Sequence, residues 1–142
     1  MKQSTFMIFK PDSIENNHVQ PILERIFNAG LEISHFKAVI ATPELIEQHY
    51  AHITDKPFFK AIEDFMVKGP LYIAILTGDD AVNTWRGLMG ATNPEVAEQG
   101  TIRGDFGYVK NGQVFNMVHG SDSVDNAKRE IELWFGKDVT ID

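Results

Sequence analysis

A single layered domain of alternating strands and helices is the class this chain predicts, on three observations. Two compact apolar runs rich in β-branched and aromatic residues, 6–9 and 71–76, are flanked by proline or glycine and read as buried strands. Other segments instead carry apolar side chains at steps of three and four, the spacing that gathers them on one helix face. The 142 residues, 43% apolar, suit one core, so one domain over 1–142 is expected. Pattern alone leaves a parallel α/β sheet and an α+β sandwich both open.

The first strand, Phe6, Met7, Ile8 and Phe9, stops at Lys10-Pro11-Asp12, because proline cannot donate to a sheet ladder. Ile22, Leu23, Ile26 and Phe27 then mark a helix over residues 19–29, with Pro21 in its first turn and Gly30 closing it. A second strand runs from Leu31 to Ile40, and its alternation changes phase near His35, which predicts a bulge. Thr42-Pro43-Glu44 has a cap followed by proline at the first helical position, and Leu45, Ile46, His49, Tyr50 and Ile53 continue that face. Pro57 opens a second helix with Phe58, Phe59, Ile62, Phe65 and Met66, ended by Gly69-Pro70, so the two form a helix pair whose aromatic stripe reads as core.

A third strand covers residues 71–76. Gly78-Asp79-Asp80 reads as turn and cap before a helix with Ala81, Val82, Trp85, Leu88 and Met89. Residues 91–105 have weak periodicity and read as a long loop, of the kind that carries function. Asn111-Gly112, between residues 106–109 and 114–118, is a strong hairpin signal. The run Val114, Phe115, Met117, Val118 reads as a strand ending at His119-Gly120. After it, Ser121, Asp122 and Ser123 can each accept hydrogen bonds at a helix start, and Val124, Ala127, Ile131, Trp134 and Phe135 share the helix face up to Gly136.

The net charge of −7 and pI near 5.1 disfavour a nucleic-acid backbone as partner and leave small anions as the better candidates. Without cysteine there is no disulfide, thiolate nucleophile or cysteine zinc site, which fits a reducing compartment. No apolar run is long enough to span a bilayer, and no signal-peptide core is recognisable, so a soluble, cytoplasmic protein with no membrane partner is expected.

Candidate chemistry centres on His119. An imidazole at a strand end beside helix N–H groups has the makings of a phosphate-handling nucleophile, since neutral histidine is plentiful at pH 7 and helix starts attract anions. Glu130, beside the apolar stripe of the following helix, can lean back toward it, bringing imidazole, hydroxyl and carboxylate together. The nearest approach to a phosphate-cradling glycine loop, Gly107 to Gly112, is followed by Gln113-Val114 rather than Lys and Ser or Thr, so no P-loop is present. Phosphate charge falls instead to scattered side chains: Lys10, Arg86, Arg103 and the Thr92 hydroxyl. His49 and His52 lack the further ligands of a metal site.

Asn116-x-x-His119-Gly120-Ser121-Asp122-Ser123, followed by Ala127-x-Arg129-Glu130-Ile131 and Leu133-Trp134-Phe135, resembles the active-site signature of the nucleoside diphosphate kinases. The likeness continues, in the family's order, through Lys10-Pro11-Asp12, Pro57-Phe58-Phe59, Arg86, Gly90-x-Thr92-Asn93-Pro94 and Gly100-Thr101-Ile102-Arg103-Gly104-Asp105. It implies a ferredoxin-like βαββαβ core with an antiparallel four-stranded sheet and a helix pair inserted between the second and third strands.

The resemblance also implies roles. His119 resembles the nucleophile that takes the γ-phosphoryl group of ATP or another nucleoside triphosphate as phosphohistidine and passes it, ping-pong fashion, to a nucleoside diphosphate. Glu130 resembles the carboxylate orienting the imidazole, with Ser121 bonded to it. Lys10 and Asn116 resemble the ribose 3′-hydroxyl contacts, Lys10 also reaching phosphate. Arg86, Thr92 and Arg103 resemble the phosphate clamp, and Tyr50 the phenol beside it. Phe58 resembles the base-stacking residue with Ile62 adjacent, and stacking without edge contacts implies broad base tolerance. Mg²⁺ is expected on the nucleotide phosphates, with Asp122 near it through water.

Two features depart from the family pattern. Between Arg103 and Asn116 the chain carries about three residues more than the family pattern. The residue covering the base from this segment is then either Val109 or Val114. The tail after Gly136 is short, which leaves hexamer, tetramer and dimer open for the expected homo-oligomer. A nucleotide-binding module without phosphotransfer is the competing class, and the presence of His119, Glu130, Lys10, Arg86 and Arg103 argues against it.

Overall fold

The computed structural model describes residues 2–139. Strand β1 (Lys2–Phe9) lies inside a four-stranded sheet with β3 (Leu71–Asp79) on one side and β6 (Val118–Gly120) on the other, and β2 (Glu32–Val39) pairs with β3 at the edge. Every pairing is antiparallel, which selects the α+β reading over the parallel one. The central place of β1 explains its unbroken apolar run. Met7 and Phe9 bury into one core with Ile22, Ile26, Trp85 and Met89, and Phe6 and Ile8 into another with Ile46, Met66, Ile131 and Trp134. Helices α2 (Val19–Asn28) and α5 (Ala81–Met89) cover the first face, and α3 (Pro43–His49), α4 (Phe59–Val67) and α7 (Val124–Phe135) the second. No helix among the described residues is long and apolar enough to cross a membrane.

Local chemistry sets most element ends as expected. Thr42 accepts the Leu45 N–H and Ser123 the Asn126 N–H, side-chain caps worth about 1 kcal/mol each. The register of β2 on β3 shifts between Ile33 and His35, the bulge that the phase change predicts. Asn111 and Gly112 both adopt positive φ, 53° and 77°, between β4 (Tyr108–Lys110) and β5 (Gln113–Phe115), which form their own two-stranded sheet.

Elsewhere the structure corrects the pattern. Pro11 ends β1 but also starts a short helix, α1 (Pro11–Glu15), at the position where its missing N–H is no loss. The second helix of the pair begins at Phe59, with Pro57 and Phe58 in the preceding turn, so Phe58 escapes the core and stays 54% exposed. Strand β3 runs on through Gly78 and Asp79, because Gln3 and Lys2 remain available opposite them. The long loop contains a helix, α6 (Ile102–Phe106), capped by Thr101 accepting the Gly104 N–H. Residues 114–118 are not one strand. Met117 takes φ 73° while the Val118 N–H bonds back to the Asn116 carbonyl at 2.8 Å, a strained γ-turn that separates β5 from β6. Val124 lies off the buried stripe of α7 and is exposed.

Candidate active site

Register decides where His119 points. In the β1/β6 ladder His119 stands opposite Ile8 and therefore shares its face, toward α3 and α7, whereas Gly120 stands opposite Met7 and faces α5. A side chain at Gly120 would put its Cβ 2.5 Å from Trp85 Cδ1 and 2.5 Å from Met89 Cε, so glycine permits the close approach of α5. Trp85 in turn donates its indole N–H to the His119 carbonyl at 3.3 Å.

On the opposite side, Glu130 reaches back from the second turn of α7. Its Oε1 bonds His119 Nε2 at 3.0 Å and accepts the Ser121 hydroxyl at 2.6 Å. This fixes Nε2 against the carboxylate and leaves Nδ1 as the ring nitrogen for chemistry. Burial lowers the His119 pKa from its ordinary 6.5 against the upward pull of Glu130, so the ring is neutral and its lone pair available near pH 7. Of the three expected cap residues, only Ser123 caps. Ser121 turns inward, and Asp122 accepts the Asn126 amide at 2.6 Å, which chiefly keeps its carboxyl ionised below the usual range.

His119 lines a cleft of ≈ 1130 Å³, roomy for a small-molecule site, together with all of the sequence-predicted side chains except the buried pair Ser121 and Glu130. Asn116 is the hub of its inner wall. Its Oδ1 accepts Lys10 Nζ at 2.9 Å, and its Nδ2 donates to the Thr92 carbonyl at 3.1 Å. Arg103 extends the same wall, its guanidinium donating to the carbonyls of Asn116, Gly90 and Val118 at 3.3, 3.1 and 2.8 Å. Three of its five N–H groups thus brace the loop before His119, leaving two for a ligand. Desolvation lowers Arg103 to about 10 and, with the Arg103 charge adding to it, Lys10 to about 8. Both remain cationic at neutral pH.

Arg86 and Thr92 stand exposed on the outer wall, and no hydrogen bond within the described residues occupies the Arg86 guanidinium. Tyr50 closes α3 with its ring centroid 4.6 Å from that of His49 in an edge-on contact, and desolvation, then Glu130, raises its phenol pKa. The apolar mouth is formed by Phe58, half-buried Ile62 and Phe65 on one side and by the hairpin on the other, where Val114 lines the cleft and Val109 does not. Phe115 anchors the hairpin, stacked on Tyr108 at 4.8 Å and edge-on to Phe65 at 5.7 Å.

Two contributors escape sequence reasoning about the site. Asp12, noted only as part of a motif, is buried and accepts the Met117 N–H at 2.8 Å, holding the strained turn. His49 is 1% exposed, with its ring centroid 4.5 Å from that of His119, while His52 is exposed and lines the cleft. Its signal in the sequence is an imidazole on the apolar face of α3.

A neutral imidazole with one nitrogen fixed, facing a cationic wall and an aromatic lip, defines a phosphotransferase that works through individual side chains rather than a P-loop. Comparison with known proteins narrows the class. The family model described as nucleoside diphosphate kinase matches residues 3–139. A nucleoside diphosphate kinase of Streptococcus thermophilus is 44% identical over 136 residues, covering 95% of this chain and 99% of the relative. The apo crystal structure of the Encephalitozoon cuniculi enzyme superposes with TM-score 0.88 at 40% identity, over 97% of this chain and 92% of that one. A transition-state mimic of the Borrelia burgdorferi enzyme, with bound vanadate and ADP, superposes with TM-score 0.89 at 28% identity, over 96% and 88%. The chain belongs to the nucleoside diphosphate kinase family, and nucleotide binding and phosphotransfer are its function.

Proposed function

We propose that the chain, acting as one domain over 1–142, carries the γ-phosphoryl group of ATP or another nucleoside triphosphate to a nucleoside diphosphate by way of a phosphohistidine at His119. The observation that carries this is the 3.0 Å bond from Nε2 to Glu130, which leaves the Nδ1 lone pair facing an open cleft. Attack by Nδ1 on the γ-phosphorus forms the N–P bond and breaks the bond to the leaving diphosphate. The ring keeps its proton on Nε2 and becomes cationic, a charge that the Glu130 carboxylate offsets, with Ser121 holding the carboxylate. Reversal with a second nucleoside diphosphate completes the cycle.

The remaining roles follow the cleft from floor to mouth. Lys10 and Asn116 meet the ribose hydroxyl, Lys10 also a phosphate. Arg86, Thr92, Tyr50 and the two spare N–H groups of Arg103 meet the phosphates. The base stacks on Phe58 beside Ile62, with Val114 as the opposite cover, and an apolar slot of this kind favours broad base tolerance. The residues present suit Mg²⁺ carried on the nucleotide. Asp122 is an ionised carboxylate on the cleft wall, and the other lining carboxylate, Asp12, is engaged by the Met117 N–H, enough to reach the ion through water but no cage; when bound the ion neutralises phosphate charge. The vanadate and ADP complex of the Borrelia relative supports the nucleotide and phosphoryl roles of this cleft. A homo-oligomer in the cytoplasm completes the proposal, in keeping with a cysteine-free chain.

The test is to mix the protein with γ-labelled ATP and look for an acid-labile, base-stable phosphate that GDP or CDP then discharges. Wild-type protein acquires it and His119→Ala does not, while the variant still binds ADP. Comparable exchange between GTP and ADP by His119→Ala would overturn the phosphohistidine route.

A further inference from the structure

Behind the nucleophile lies a second imidazole that the roles above leave unused. His49 is sealed between Phe6 of β1, His119 of β6, Tyr50 at the end of α3, and Glu130 and Trp134 of α7. Trp134 donates its indole N–H to His49 Nδ1 at 2.9 Å. An indole N–H only donates, so Nδ1 must carry the lone pair and Nε2 the proton. Nε2 is buried without a hydrogen-bond partner, and it lies 4.0 Å from Glu130 Oε2.

The fixed tautomer excludes one use of this cluster. His49, His119 and Glu130 bring ligand atoms within 4.8 Å of one another, the spacing of a metal site. A protonated Nε2 is no metal ligand, however, and freeing it would break the Trp134 bond. What the cluster can do instead follows from the needs of Glu130. Oε1 has two donors, His119 and Ser121, whereas Oε2 has only Arg129 at 3.6 Å and His49 at 4.0 Å, neither within hydrogen-bond reach. A buried carboxylate held through one oxygen remains free to swing about that contact.

We propose that His49 is a positioning residue for phosphotransfer, its Trp134-fixed Nε2–H closing on Glu130 Oε2 so that the carboxylate is restrained through both oxygens as the His119 ring becomes cationic. The proposal rests on the phosphohistidine reading. His49 itself exchanges no proton and touches no substrate. It remains the neutral donor throughout, because burial first, then the charges of His119, Arg129, Lys10 and His52, oppose its protonation. The partnerless N–H is thus a donor held ready for the state in which Glu130 carries most of its load.

Two variants separate this from simple packing. His49→Leu keeps apolar volume but removes both nitrogens, whereas His49→Gln retains an N–H donor near Nε2. Single-turnover phosphorylation by γ-labelled ATP and the dissociation constant for ADP are measured on each, with denaturant unfolding to establish that each is folded. The expected result is a loss on the order of tenfold in phosphorylation rate for His49→Leu, with ADP affinity unchanged, and substantial rescue in His49→Gln. A folded His49→Leu that phosphorylates at the wild-type rate overturns the proposal, as does a folded His49→Gln as slow as His49→Leu. Absence of any phosphoprotein in the wild type would instead overturn the phosphohistidine reading on which it rests.

Discussion

Asp12 accepts the backbone N–H of Met117 at 2.8 Å across 105 residues of sequence, tying the end of β1 to the turn that delivers His119. The Lys10 N–H meets the Met117 carbonyl at 3.0 Å, so the one strained residue of the active-site segment is gripped at both its polar groups. Non-glycine positive φ persists where surrounding structure over-determines it, and this pair of bonds does so.

Removing the grip by Asp12→Ala leaves the buried Met117 N–H unsatisfied, at a cost on the order of 1–3 kcal/mol. The expected outcome is a lower denaturant midpoint with an unchanged slope, and slower phosphotransfer because His119 loses its register. An unfolding midpoint equal to wild type would mean that the turn holds itself.

Phe58 lies outside the core, so truncating it should leave stability nearly unchanged. Phe58→Ala is expected to weaken ADP, GDP and CDP alike by roughly 1–3 kcal/mol, since stacking is indifferent to base identity. Calorimetric titration with the three diphosphates checks this. A loss confined to purines or to pyrimidines would require contacts to the base edge.

The β4/β5 hairpin places Gly112, Gln113 and Val114 on the cleft rim and supplies no histidine, carboxylate or arginine to its floor. Replacing the tip by a shorter connection should therefore preserve phosphohistidine formation at saturating ATP while weakening nucleotide binding or changing oligomer size. If a folded, shortened protein fails to phosphorylate, the hairpin supports His119 directly.

Acid should destabilise the fold in a way traceable to its buried imidazoles. Burial, the leading cause, lowers His49 from 6.5 to about 2 and lowers His119 as well. Above pH 6.5 both are neutral in the folded and unfolded chain alike, and their stabilising contribution is complete. As pH falls through that value the unfolded chain takes up protons the fold refuses, so each site removes about 1.4 kcal/mol per pH unit until its folded pKa is reached. Denaturant unfolding at roughly pH 7.5 and pH 5 should show a shallower decline for His49→Leu than for wild type. Parallel declines would place the acid sensitivity elsewhere.

Sequence alone determined what depends on neighbours along the chain. The Thr42 cap, a helix start within residues 121–123, the bulge near His35, the Asn111-Gly112 turn and the helix stop at Gly136 each follow from side chains within a few residues, and the structure has them, with Ser123 the one of its three candidates that caps. The family signature also carried the order of the cleft residues, because their identities are readable without their positions. Periodicity reports which face is apolar but not which strand lies beside it, so pattern left parallel and antiparallel pairing open; the family signature implied the antiparallel sheet, and the fold has it. The same holds for single residues. His49 looks like a polar misfit on an apolar helix face until Trp134, 85 residues on, fixes its tautomer. Residues 114–118 look like one strand until Asp12 and Lys10 capture Met117 in its turn. In both cases the deciding partner is distant in sequence, and a hydrogen bond between distant segments leaves no periodic trace in either one.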